Sequence, residues 1–252
     1  MKILLKLSYL GTNFCGYQVQ GDKRSIQGEL TRAAGELFSY DCDITGCSRT
    51  DSGVHANMFC ATVSKKGESG LATALEPDRI VRALNAHLPD DICIYSAEWV
   101  EDGFHPRYDV RFKEYVYRIY NGDAKIPFEN GRSHILKKKF TSEQIEKMKL
   151  AASHLTGKRD YSAFMAQGSC VASTVRDVKY AEVETHGDII EFKVAADGFL
   201  YNMVRIMAGT LIAVGEGKIS PDAIDDIVAT CDRSLAGQTA PACGLYLNKV
   251  VY

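Results

Sequence analysis

The stretch KILLKLSYLGTNFCGYQVQGDKRSIQGELTRAAGELFSY, residues 2–40, changes its period partway along. KILLKLSYL alternates as a β-strand does. After a stretch with three glycines, SIQGELTRAAGELFSY repeats at helical spacing: Ser25 stands as N-cap, and Ile26, Leu30, Ala33 and Leu37 fall along one face. The same grammar continues downstream. DCDITG (41–46) and NMFCATVSKK (57–66) read as strands, EPDRIVRALNAHL (76–88) as a helix with Pro77 in its first turn, and DICIYSAEWV (91–100) as a strand. Residues 1–103 thus spell β-α-β-β-α-β.

Residues 104–252 read the same way. DVRFKEYVYRIYN (109–121) is a long strand, and Thr141 with Gln144 forms a capping box ahead of a helix through Ile145, Met148 and Ala152. VRDVKYAEVETH and DIIEFKVAAD make a hairpin turning near Gly187; FLYNMVRIMAGTLIAVG (199–215) is a helix ending at Gly215. A further helix follows Ser220-Pro221, and GLYLNKVVY closes as a strand. The expectation is an α+β protein of two β-α-β-β-α-β halves, 1–103 and 104–252, joined in a mainly antiparallel sheet flanked by helices. Residues 121–140 form a polar insertion without periodicity, in which Lys137 to Lys139 read as a solvated run.

At 252 residues, 46% hydrophobic and 25% charged, the chain is of ordinary globular composition. A net charge of -2 speaks against a histone-like binder but leaves room for a locally basic RNA cleft. The opening MKILLKLSYLG turns polar too soon for a signal peptide or membrane span, so a cytoplasmic protein is expected. Eight cysteines, none in a CxxC pair, are expected as reduced and mostly buried thiols; Cys47, His55 and Cys60 match no zinc spacing, so no metal is expected.

GCSRTDSGVHA, residues 46–56, stands apart, with Arg49 and Asp51 two apart in a glycine-hinged loop flanked by strands. An aspartic-protease turn would need a second copy of Asp-Ser/Thr-Gly, which the chain lacks. A Ser-His-Asp triad from Ser48 or Ser52, His55 and Asp51 lacks a nucleophile elbow. A tight turn in which Asp51 caps backbone amides is the plain structural reading. Arg205 lies within Met203–Met207 on a helix that is otherwise core, with Tyr201 one turn before and Gly209 one turn after. Glycine there costs helix stability, on the order of 1 kcal/mol against Ala, so it makes room for something. An arginine held against a core needs an anion or a path to water. An aspartate held by such an arginine would have its pKa depressed and act as a nucleophile or electrostatic stabiliser. Tyr115 and Tyr117 share one strand face beside Arg107 and Arg111, an arrangement that suits base stacking or an ordinary core.

Together, YLGTNFCGYQVQ (9–20), GCSRTDSGVHA (46–56), ALNAHLPDDI (83–92), FHPRYDVRFKEYVYRIYN (104–121), YSAFMAQGS (161–169), FLYNMVRIMAGTL (199–211) and APACGLYL (240–247) resemble the tRNA pseudouridine synthase A family along nearly the whole chain. The resemblance implies the pseudouridine synthase fold, a homodimer, no cofactor and no metal. It also implies isomerisation of uridine to pseudouridine in the anticodon stem-loop of tRNA, at positions 38–40. It places Asp51 on the catalytic aspartate, Arg205 on its salt-bridging arginine, and Tyr115 on the tyrosine that stacks against the target base. Arg49 falls on the residue that fills the space of the flipped nucleotide, and Leu245 on an apolar residue lining the pocket. His55 and Arg107 are expected as further substrate contacts. Pro106 stands where the family usually has Ala, and Lys113-Glu114 where a basic pair is usual. Two other activities fit the same scaffold: a synthase acting on another RNA, and a non-catalytic RNA-binding protein.

Overall fold

The structure is a computed structural model, and it describes residues 1–124, 126–168 and 171–252. Of the sequence expectations, those touching Lys125 in the insertion, Ser169 in YSAFMAQGS and Cys170 lie outside the described residues. The chain divides into two compact units, 1–111 with 247–252 and 112–246. Both are mixed α/β and mainly antiparallel.

In the first unit, β1 (Lys2–Tyr9), α1 (Ile26–Phe38), β2 (Cys42–Gly46), β3 (His55–Lys65), α2 (Pro77–His87) and β4 (Ile92–Val100) follow in the order read from the sequence. β1 lies antiparallel between β3 and β4, with Leu5 opposite Ala61 on one side and Ala97 on the other. β2 pairs antiparallel with β3, Gly46 opposite Ala61. The two helices pack together, α1 against β2 and α2 against β4. Ile3, Leu5, Leu7, Ile26, Leu30, Ala33, Ile80 and Leu84 form their fully buried seam. Ser25 caps α1 by accepting the Gly28 N–H at 3.2 Å.

In the second unit, β5 (Phe112–Tyr120) is followed by a two-residue strand, β6 (His134–Ile135), which pairs parallel with it. Then come α3 (Ser142–Ser153), β7 (Gly157–Asp160), β8 (Val175–His186), β9 (Ile189–Ala196), α4 (Met203–Gly215), α5 (Ala223–Thr230) and β10 (Leu245–Val251). β5 pairs with β9, Tyr117 opposite Phe192; β9 pairs with β8, and β8 with β7, all antiparallel. The Thr141–Gln144 capping box is present, and Gly187 turns the β8–β9 hairpin at φ 59°. Lys137 to Lys139 are exposed, Lys139 paired with Asp123 at 2.8 Å.

Four expectations change. β10 falls in the second half of the sequence, but from Leu247 on it belongs to the first unit, where it lies beside β3. β7 and β6 are too short and polar to show periodicity. The helix expected from Phe199 begins at Met203, because Asn202 sits in the left-handed region at φ 58°, a conformation asparagine tolerates and helices do not continue through. Tyr201 is therefore an exposed turn residue, not a helical neighbour of Arg205. The seven described cysteines are free, but only Cys42, Cys47 and Cys60 are buried, while Cys93 and Cys231 are exposed.

Candidate active site

The acid loop runs from the end of β2 to the start of β3, and the segment after β1 buttresses it. Alternate residues point opposite ways. Thr50 is buried and its hydroxyl meets the Tyr9 hydroxyl at 2.8 Å, whereas Arg49 is exposed and Asp51 half-buried. The Val54 N–H donates to the Asp51 carbonyl at 3.2 Å, and Gly53 at φ 79° closes that turn. The Tyr17 N–H donates to the Thr50 carbonyl at 3.1 Å, and the Ser52 hydroxyl to the Phe14 carbonyl at 3.1 Å.

Two glycines permit this close fit. A Cβ at Gly11 falls 1.9 Å from the Val54 oxygen, and one at Gly16 falls 2.6 Å from the Thr50 oxygen. Backbone rests directly on backbone there. Below the loop, Tyr17 stacks on Phe59 at 4.6 Å, and Tyr9 tilts against the same ring at 5.7 Å. A loop pinned by this many contacts holds its exposed side chains in fixed positions. Asp51 and Arg49 are those side chains.

His55 is fully buried, and its Nδ1 accepts the Gly11 N–H at 3.0 Å, which leaves any proton of a neutral ring on Nε2. His55 braces the loop from inside. Arg107 is half-buried, and its Nε is a buried donor without a hydrogen-bond partner among the described residues, as is the Tyr17 hydroxyl. Burial pushes the Tyr17 hydroxyl far above its ordinary pKa, and the Arg107 charge acts against that rise.

In the second unit, Tyr115 on β5 is 7% exposed and sets its ring edge-on to Phe199 at 5.0 Å and 84°. Tyr117 is fully buried and donates its hydroxyl to the Pro241 carbonyl at 2.9 Å. Arg205 is half-buried on α4. Its Nε donates to the Ala240 carbonyl at 2.8 Å, one terminal nitrogen donates to Asn202 Oδ1 at 2.9 Å, and its own carbonyl accepts the Ala240 N–H at 3.0 Å. Its charge lowers the raised pKa values of Tyr117 and Cys243, whose rise comes first from burial.

The strap at 237–241 is what Gly209 makes room for: a Cβ there falls 1.7 Å from the Gln238 oxygen. Gly237 donates its N–H to the Thr210 hydroxyl at 2.8 Å, closing the strap onto α4. Leu245, 6% exposed, begins β10 just beyond. The strap and Asn202 are parts of the site that sequence reasoning missed. The available signal was Asn202 three residues before an isolated arginine.

Arg49, Asp51, His55 and Arg107 thus belong to the first unit, and Tyr115, Arg205 and Leu245 to the second. No group of three or more His, Cys, Asp or Glu among the described residues has an arrangement that could hold a metal ion. No helix of the described residues is long and apolar enough to cross a membrane.

The family model described as tRNA pseudouridine synthase matches residues 7–109 and 151–252. The chain belongs to the tRNA pseudouridine synthase family. That places it among isomerases, on the pseudouridine synthase fold. It is 41% identical over 251 residues to the tRNA pseudouridine synthase A of Thermoanaerobacter sp. (strain X514), covering 99% of each chain. It is 40% identical to that of Ruminiclostridium cellulolyticum, covering all of this chain and 99% of the relative. It is 41% identical to that of Shouchella clausii, covering all of this chain and 93% of the relative. Asp51, Arg205 and Leu245 fall inside the matched segments, whereas Tyr115 and the insertion lie outside them.

Proposed function

We propose that this synthase converts uridine to pseudouridine in the anticodon stem-loop of tRNA, at positions 38–40, as a cytoplasmic homodimer. One observation supports the reading above others: the loop at 47–54 is pinned on every side by buried bonds, yet leaves Asp51 half-open and Arg49 exposed beside it.

The reaction breaks the N1–C1′ bond, turns the uracil, and joins C5 to C1′. The C5 proton leaves and N1 gains one, so atoms balance with no co-reactant. A single ionised aspartate serves any of three first steps: attack at C1′, attack at C6, or removal of a sugar proton. The resemblance assigns Arg205, itself fixed by Ala240 and Asn202, the part of keeping the catalytic carboxylate charged. Tyr115, braced edge-on by Phe199, stacks on the uracil, and its hydroxyl carries the C5 proton. Leu245 lines the apolar side of the pocket. Extruding a base from a stem costs a few kcal/mol, and Arg49, which has no ion pair among the described residues, enters the vacated stack and offsets part of that.

The test is incubation with undermodified total RNA followed by site-resolved pseudouridine mapping. New pseudouridine at tRNA positions 38–40 supports the reading. Product confined to other RNAs, or none, overturns it.

A further inference from the structure

The turn between β4 and β5 holds an aromatic pair that the acid-loop chemistry does not use. Tyr108 is 75% exposed, and its ring lies against the His105 ring at 4.2 Å and 30°. One face of the phenol is thus backed by imidazole while the other is open to solvent. The turn that carries it is bonded together. The Tyr108 and Asp109 N–H groups both donate to the His105 carbonyl, at 3.2 and 3.1 Å. The Arg107 N–H donates to His105 Nδ1 at 3.1 Å, and the His105 N–H to Asp109 Oδ2 at 2.8 Å.

Beneath the turn, the Tyr252 hydroxyl donates to the Pro106 carbonyl at 3.0 Å, and Phe104 packs edge-on against the Tyr252 ring at 5.0 Å. The charges around the pair are mixed in sign but unequal in availability. The Asp109 carboxylate is engaged within the turn, while exposed Arg111 makes no ion pair among the described residues.

We infer that Tyr108, backed by His105, is a stacking platform for an unpaired nucleobase of the RNA substrate, with Arg111 meeting the adjoining phosphate. A ring resting on His105 on an ordered turn loses less freedom on stacking than one on a free loop, and every base offers it a π-face. The inference rests on the proposed action on RNA, and it adds a positioning residue outside the reacting atoms.

The experiment uses the full-length protein and an anticodon stem-loop RNA carrying 2-aminopurine at one loop position at a time. Wild type should quench the probe at one position, and Tyr108→Ala should lose that quench. The dissociation constant of Tyr108→Ala should rise by about five- to a hundredfold, with single-turnover rate at saturating RNA within about twofold of wild type. Tyr108→Trp should restore both binding and quench. Binding by Tyr108→Ala within twofold of wild type, or an unchanged quench, overturns the platform. Failure of wild type to form pseudouridine in tRNA would overturn the proposed function instead, and the binding arms read independently of it.

Discussion

Replacing Gly209 with alanine separates helix propensity from packing by the sign of the result. On an open helix, Gly→Ala stabilises by about 1 kcal/mol. Here the new Cβ falls 1.7 Å from the Gln238 oxygen and 2.9 Å from its carbonyl carbon. Backbone atoms cannot yield as a side-chain tip does, so the strap at 237–241 must lift. Overpacking of this kind costs about 1–3 kcal/mol. Lifting also stretches the two bonds joining Ala240 to Arg205, each contributing about 0.5–1.5 kcal/mol. Set against the propensity gain, the net is a destabilisation of about 1–5 kcal/mol. Urea unfolding reads that directly. Because the strap positions the Arg205 guanidinium, turnover per folded molecule should fall as well, with tRNA affinity little changed. A Gly209→Ala protein as stable as wild type or more so, with full turnover, would refute the reasoning.

His55→Ala should destabilise the protein by about 2–4 kcal/mol, since it opens a cavity and strands the Gly11 N–H; RNA affinity of the folded fraction, measured by fluorescence anisotropy, should stay within threefold. Asp225 answers to pH. Hydrogen bonds from Arg159, at 2.6 Å, and from His154 hold its carboxyl below the ordinary value of 3.8. A lowered folded-state pKa means the contribution is present at neutral pH and is lost as pH falls below 3.8 through the folded value. Asp225→Asn should therefore cost about 1 kcal/mol or less at pH 7, the group being half-exposed. The gap between the two urea curves should close on acidification.

What the sequence disclosed was local in origin. The α1 cap at Ser25, the capping box at Thr141 and the hairpin at Gly187 are decided by residues within four positions of one another. The acid loop was recognisable because Arg, Asp and glycines crowd into a stretch with almost no apolar residues. Gly209 announced that something approached α4, but the Gln238 carbonyl is 29 positions away and only the fold names it. His55 is bonded to the Gly11 N–H, 44 residues upstream, a partner that no local pattern names. Asn202 ended the expected helix through backbone conformation, which side-chain periodicity does not encode. β10 read correctly as a strand, yet its place beside β3 depends on pairing across most of the chain.

The central claim is that Asp51 supplies the chemistry and the loop around it supplies the position. Single-turnover pseudouridine formation by Asp51→Asn, at enzyme concentrations saturating for tRNA, tests it most directly, because the substitution keeps shape and removes charge. The account predicts a rate loss on the order of 10⁴-fold or more, with tRNA affinity and unfolding midpoint close to wild type. Turnover within tenfold of wild type would contradict it.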